Sequence, residues 1–297
     1  MSTDPLHPSP RHAVVHARDG FPLAARVYSP PSEARATLLV HSATASPQGY
    51  YARFAAYAAA RGVRTLTYDY RGVGGSRPGS LRALDARMSD WAELDAAAIA
   101  AWVSERWEGP RVALGHSFGG QLLGLVDEAS DVDAVVLVAA QLGFFGHWPA
   151  RQQLRLKLMW YGLVPALTGT VGFFPAWGGL GEELPAGVAR EWAKWCRSPG
   201  YYLDHVPGAR ARLASFDRPV LAFSFDDDDF GPRAAVDALL RQLRAASIDH
   251  RHLSPGALGQ KRVGHFGFFR PALEEPLWAD TLRFVESIAL ARAAAAA

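Results

Sequence analysis

Few sequences leave a backbone as little choice as Val112-Ala-Leu-Gly-His-Ser-Phe-Gly-Gly-Gln121. Val112 to Leu114 is an apolar run that reads as a buried strand, and Gln121-Leu-Leu-Gly-Leu-Val126 reads as the start of a helix. Between them stands Gly115-His116-Ser117-Phe118-Gly119, a G-x-S-x-G spacing in the strand, sharp turn, helix context that it requires. A serine at so tight a bend sits in strained geometry, and its neighbours two residues away must lack a Cβ for strand and helix to approach. The helix start then aims backbone N–H groups and a positive dipole end at one point beside the hydroxyl.

The flanking chain extends this pattern. His12 to His16 and Leu23 to Tyr28 flank an Asp19-Gly20 turn and predict a hairpin. Ala36 to Val40 is a third strand, and Tyr50 to Arg61 an alanine-rich helix stopped by Gly62. Val63 to Tyr70 is a fourth strand. Asp90 with Glu93 looks like a capping box opening a helix with Trp91, Leu94, Ala98 and Trp102 on one face. Val132 to Ala140 is the next apolar run. Strands that alternate with helices and read as continuous apolar runs imply a mostly parallel sheet covered on both faces. From Gln141 to Ser215 strand signals stop while Trp148, Trp160, Trp177, Trp192 and Trp195 accumulate, which predicts a helical insertion, a cap. The sheet pattern resumes at Arg218 to Phe225, followed by a helix from Pro232 to Ala246, a strand from Ile248 to Leu253, a Gly264-His265-Phe-Gly-Phe-Phe269 loop and a closing helix from Leu273. The expected division is therefore a core of residues 1–140 and 216–297 with a cap of residues 141–215.

Composition narrows the class. With 297 residues, 49% of them hydrophobic, the chain can bury one large core. The net charge is only +2 and no basic stripe with interleaved aromatics occurs, so no nucleic-acid partner is expected. Cys196 is the single cysteine, which excludes an internal disulfide and fits a reducing compartment. Met1 to Arg11 has no apolar core of a signal peptide, and no run approaches the roughly 18 apolar residues of a spanning helix. A cytoplasmic protein without a membrane partner is the simplest expectation, and assembly as a homodimer stays open. Ala291 to Ala297 reads as a fraying helical tail.

Four landmarks in order carry a resemblance: His41-Ser-Ala after the third strand, Asp69-Tyr-Arg-Gly-Val-Gly-Gly-Ser76 after the fourth, the Ser117 turn after the fifth, and an acid followed by His265 near the end. Over nearly its whole length the chain resembles the α/β-hydrolase superfamily. More narrowly it is similar to an uncharacterised bacterial group of predicted α/β hydrolases that shares the Asp-Tyr-Arg-Gly stretch, the Gly-His-Ser-Phe-Gly-Gly-Gln turn and the Gly-His-Phe-Gly-Phe-Phe loop. The resemblance implies an α/β fold with a mostly parallel eight-stranded sheet flanked by helices, and a serine hydrolase of the carboxylesterase kind that needs no cofactor and no metal. The expected partner is a small-molecule ester.

A serine hydroxyl is a poor nucleophile at neutral pH without an adjacent base that a third group orients. Ser117 is the candidate nucleophile, and His265, on a glycine-flanked loop, the candidate base. The order Ser, Asp, His fits. Four adjacent carboxylates, Asp226 to Asp229, cannot all be buried and ionised, so most must face water. Laid against the superfamily's strand-end pattern the acid falls on Asp228, with Asp227 second and Phe225 standing where Gly is common. The rival position after the preceding strand holds Gln141, which cannot carry the charge. The resemblance further implies an oxyanion hole from the N–H groups of Phe118 and Ala43, with the Ser42 or Thr44 hydroxyl able to assist. His41, Ser42, His116 and Trp148 are the expected substrate-binding residues. His250 and His252 share a strand face, but no third metal ligand is apparent. Gly72-Val-Gly-Gly-Ser76 superficially suggests a dinucleotide loop, yet Arg77 stands where its third glycine belongs. Acyl transfer by the same residues, a non-catalytic ligand-binding protein and a partner-binding scaffold are the alternatives.

Overall fold

A computed structural model describes residues 9–126 and 131–296. The expectations for the first eight residues, and for Ala297, lie outside the described residues. Eight strands form one sheet: β1 (Arg11–His16), β2 (Pro22–Tyr28), β3 (Ala36–His41), β4 (Val63–Tyr68), β5 (Arg111–His116), β6 (Ala134–Val138), β9 (Val220–Phe225) and β10 (Ile248–Leu253). Their spatial order is β1-β2-β4-β3-β5-β6-β9-β10. β1, β2 and β4 pair antiparallel and every later pairing is parallel. The predicted hairpin closes at Gly20, whose φ of 81° suits glycine.

The central strands read as unbroken apolar runs because both faces are buried. Leu38, Val40, Val112, Leu114, Val136 and Val138 point to one core, under α1 (Ala52–Ala60) and α10 (Ala279–Ala296). Alternate residues, Leu39, Ala113, Val135 and Leu137, point to the other. That second core is covered by α3 (Ala97–Ser104), α4 (Phe118–Leu125), α8 (Ala209–Ser215) and α9 (Arg233–Leu240).

Two expectations are corrected here. The helix before β5 begins with α2 (Met88–Asp90), not at Asp90: the Asp90 carboxylate accepts the Arg87 N–H at 2.7 Å from the third helical position. A π-helical turn, Trp91–Ala96, then leads into α3. The insertion is also not wholly helical. Besides α5 (Ala150–Lys157), α6 (Val164–Thr170), α7 (Ala186–Cys196) and α8 it holds a short antiparallel pair, β7 (Phe173–Phe174) and β8 (Leu184–Pro185). Two-residue strands are too short to leave an alternation in the sequence.

The glycine-rich loop after β4 wraps its own carboxylate. Asp69 accepts N–H bonds from Gln48 at 2.6 Å and Gly75 at 2.9 Å, and a Cβ at Gly74 would stand 2.7 Å from that carboxyl. The anion that this loop surrounds is a side chain of the protein itself.

Candidate active site

Parallel strands end on one edge of a sheet, so loops that are distant in sequence meet there. Ser117 follows β5, Gln141 lies beyond β6, Asp228 follows β9 and His265 lies on the loop after β10. Ser117 has φ 54° and ψ −114°, the strained conformation that the sequence implies. The glycines are obligatory on contact grounds: a Cβ on Gly115 would lie 2.4 Å from Gly120, and one on Gly119 would lie 2.2 Å from the His41 carbonyl oxygen.

The aspartate run separates into individual roles. Asp228 is buried and its Oδ2 accepts the Nδ1–H of His265 at 2.8 Å, while Oδ1 takes the N–H groups of Phe230 and Gly231, both at 2.8 Å. In the neutral imidazole this leaves Nε2 as an unprotonated acceptor. Asp227 holds the same loop from beneath, accepting Val263 N–H and Gly264 N–H at 2.9 Å each. Asp226 pairs with His252 at 2.7 Å, and the Asp229 backbone carbonyl accepts the Trp148 indole N–H at 2.8 Å. Of the two aspartates weighed for the acid, Asp228 is the one that meets His265.

Ser117 and His265 line the same cavity, of about 380 Å³. The serine hydroxyl is not hydrogen-bonded to that imidazole; it accepts from Gln141 Nε2 at 3.4 Å. Gln141 Nε2 also donates to the Phe230 carbonyl at 3.1 Å, and its Oε1 is buried without a partner. Gln141, which as an amide cannot supply the acid, is thus a neighbour of the hydroxyl, and nothing in its sequence position signals that contact.

The second predicted oxyanion donor is already engaged. Ala43 lines the cavity, but its N–H donates to Tyr51 Oη at 2.8 Å. Tyr51 is also 2.9 Å from His116 Nδ1, and His116 Nε2 is 2.9 Å from the His265 carbonyl. A carbonyl only accepts, so Nε2 carries the proton. Burial, with the nearby His265 adding to it, drives the His116 pKa well below its ordinary value, so the ring is neutral and Nδ1 accepts the Tyr51 hydroxyl proton. Ala43, Tyr51, His116 and the His265 backbone form one directed chain. The Phe118 N–H heads α4, where no intrahelical acceptor exists.

Three expected substrate contacts are corrected by the same geometry. His116 is fully buried in that chain and does not line the cavity. His41 meets Tyr68 Oη at 2.8 Å, and burial lowers its pKa to about 3. Ser42 is fully buried with its hydroxyl donating to the Tyr68 carbonyl at 3.5 Å, and neither residue reaches the cavity. Thr44 and Trp148 do line it. The apolar wall comes from Leu156, Met159, Trp160, Leu180 and Trp192, with Trp160 and Trp192 5.0 Å apart. Trp195 instead packs against Tyr201 and Tyr202 in the core. Cys196 borders the cavity with its thiol pKa raised by burial, so it stays protonated. His250 and His252 both hydrogen-bond Ser224 Oγ, and no cluster of three metal-binding side chains occurs among the described residues.

The comparisons agree with this architecture. A search of curated protein sequences finds no significant match. Among solved structures, an esterase from Exiguobacterium antarcticum superposes with a TM-score of 0.62 at 15% identity, covering 93% of this chain and 100% of its own. A thermophilic esterase from Thermogutta terrifontis gives 0.58 at 13% identity, covering 94% and 99%. The esterase domain of a Rhodothermus marinus protein gives 0.55 at 18% identity, covering 92% and 98%. Identities this low speak to the fold alone. A sequence model described as "Alpha/beta hydrolase family" matches residues 37–274, from the third strand to the start of the closing helical segment. With that match spanning most of its length, the chain belongs to the alpha/beta hydrolase family.

Proposed function

We propose that the protein is a serine hydrolase of the carboxylesterase kind, acting on a small or medium apolar carboxylic ester. The observation that carries this reading is the buried His265–Asp228 pair at 2.8 Å, facing the cavity that also receives the strained Ser117. A resting serine bonded elsewhere is compatible with it, because catalytic hydrogen bonds often tighten only when substrate is bound. Ser117 Oγ leaves Gln141 and attacks the carbonyl carbon while His265 Nε2 takes its proton. Asp228 keeps the imidazole in the required tautomer and stabilises the imidazolium. The tetrahedral oxyanion is held by the Phe118 N–H and by Thr44, which takes the place expected of Ala43. His265 returns the proton to the departing alcohol. Water, deprotonated by the same ring, then releases the carboxylic acid and restores Ser117.

The apolar wall of Leu156, Met159, Trp160, Leu180 and Trp192 supports an aliphatic acyl chain. A panel of p-nitrophenyl esters of graded chain length tests the proposal. The expected result is a rate that rises from acetate to a medium chain and then falls, with a pre-steady-state burst of nitrophenol. Ser117→Ala loses about 10⁴-fold or more in kcat. Comparable turnover by wild type and Ser117→Ala overturns the mechanism.

A further inference from the structure

The helix that walls the cavity has a second face. From Ala150 to Thr170 the chain runs as α5, a π-helical turn (Leu158–Leu163) and α6. Gln152, Leu156, Met159 and Trp160 turn inward to the cavity. Leu154, Leu158 and Tyr161, spaced four and three residues apart on the opposite side, are 66%, 65% and 57% exposed. Arg151, Lys157 and Arg197 edge these three, while Arg155 borders the cavity itself. None is in an ion pair among the described residues, and Lys157 and Arg197 lie over the Phe145 and Tyr161 rings at 5.2 and 5.0 Å. Residues 141–181 contain no Asp or Glu at all, and among the described residues Asp229 is the one carboxylate that lines the cavity.

We propose that this face of the cap docks on an anionic lipid surface, seating the cavity against the source of its substrate. Apolar side chains at helical spacing, edged by cations and free of acids, are what a helix lying in a headgroup layer presents. Arginines and lysines outside any ion pair complement anionic headgroups and have no counterpart in an uncharged one. The docking is peripheral: no helix among the described residues is long and apolar enough to cross a membrane. It departs from the sequence expectation of no membrane partner, which rested on the lack of a spanning run.

Sedimentation of the Ser117→Ala protein with phosphatidylcholine vesicles, with and without phosphatidylglycerol, tests the proposal by binding alone, so its failure leaves the hydrolase reading untouched. The protein should bind the phosphatidylglycerol vesicles, with affinity falling as salt is raised. Leu154→Asp with Leu158→Asp should lower that affinity about tenfold or more. Arg151→Gln with Lys157→Gln should lower it about fivefold for each cation removed. All four positions lie outside the cavity lining, and thermal melts check that each variant folds; if one does not, the other decides. No binding to either vesicle overturns the proposal, as does binding that both variants retain. Self-association that Leu154→Asp with Leu158→Asp abolishes, without vesicle binding, assigns the face to a second copy of the chain and overturns it too.

Discussion

Each carboxylate in the run Asp226 to Asp229 ends in its own environment, and the difference is set by which backbone N–H groups the turn delivers. Asp228 receives two from Phe230 and Gly231 and gives its remaining oxygen to His265. Asp227 receives two from Val263 and Gly264, the residues just before that histidine. Measured side by side, Asp228→Asn should lower kcat on a p-nitrophenyl ester by about 10⁴-fold, because the amide favours the wrong imidazole tautomer. Asp227→Asn should cost about tenfold, by loosening the loop that carries the ring. Equal losses contradict the assignment. The strand-end pattern ranks Asp228 first despite Phe225 in place of Gly, and Asp228 is the carboxylate that meets His265. What it did not reveal was the fate of the Ala43 N–H, since Tyr51, eight residues away, reaches back to it only through the packing of the helix that follows β3.

At the level of elements, a glycine's neighbours decide what it is for. Gly119 in α4 sits where any Cβ would meet the His41 carbonyl at 2.2 Å, whereas Gly169 in α6 has nothing within 4 Å. Gly119→Ala should therefore destabilise by more than about 3 kcal/mol or prevent folding, since the obstacle is backbone that cannot swing aside. Gly169→Ala should stabilise by about 0.5–1 kcal/mol through helix propensity and a less flexible unfolded chain. Thermal denaturation of the two variants checks the opposite signs. The sheet strands were legible because burial on both faces makes them continuous apolar runs. The insertion was legible only as a break in that pattern. Its tryptophans serve three ends, with Trp160 and Trp192 on the cavity, Trp195 in the core and Trp177 in solvent, and residue type alone does not distinguish them.

On the scale of the whole molecule, buried neutral histidines tie stability to pH. His41 is lowered by burial to about 3 and His116 is driven down by burial as well. Both regain the ordinary value of 6.5 when unfolded, so below it the unfolded chain binds protons that the native one does not, and stability falls. For His41 each pH unit between 6.5 and about 3 costs about 1.4 kcal/mol, and His116 acts in the same sense. Asp95, raised by burial to about 6 against the pull of Arg71, acts in the opposite sense as pH falls from about 6 to 3.8. Two histidines against one carboxyl leave a net loss on acidification. The urea midpoint should decline steadily from neutral pH to mildly acidic pH, and a midpoint that rises over that range contradicts the assignment of neutral buried rings.

The same three-dimensional closure brings a hydroxyl at residue 117 and an imidazole at residue 265 to one cavity. The rate of covalent labelling by a fluorophosphonate, with the modified peptide identified by mass, tests this closure most directly. Wild type should label at Ser117 alone, Ser117→Ala not at all, and His265→Ala more slowly by about 10³-fold or more. Labelling at undiminished rate without His265, or attachment at another residue, contradicts the activation of Ser117 by that imidazole.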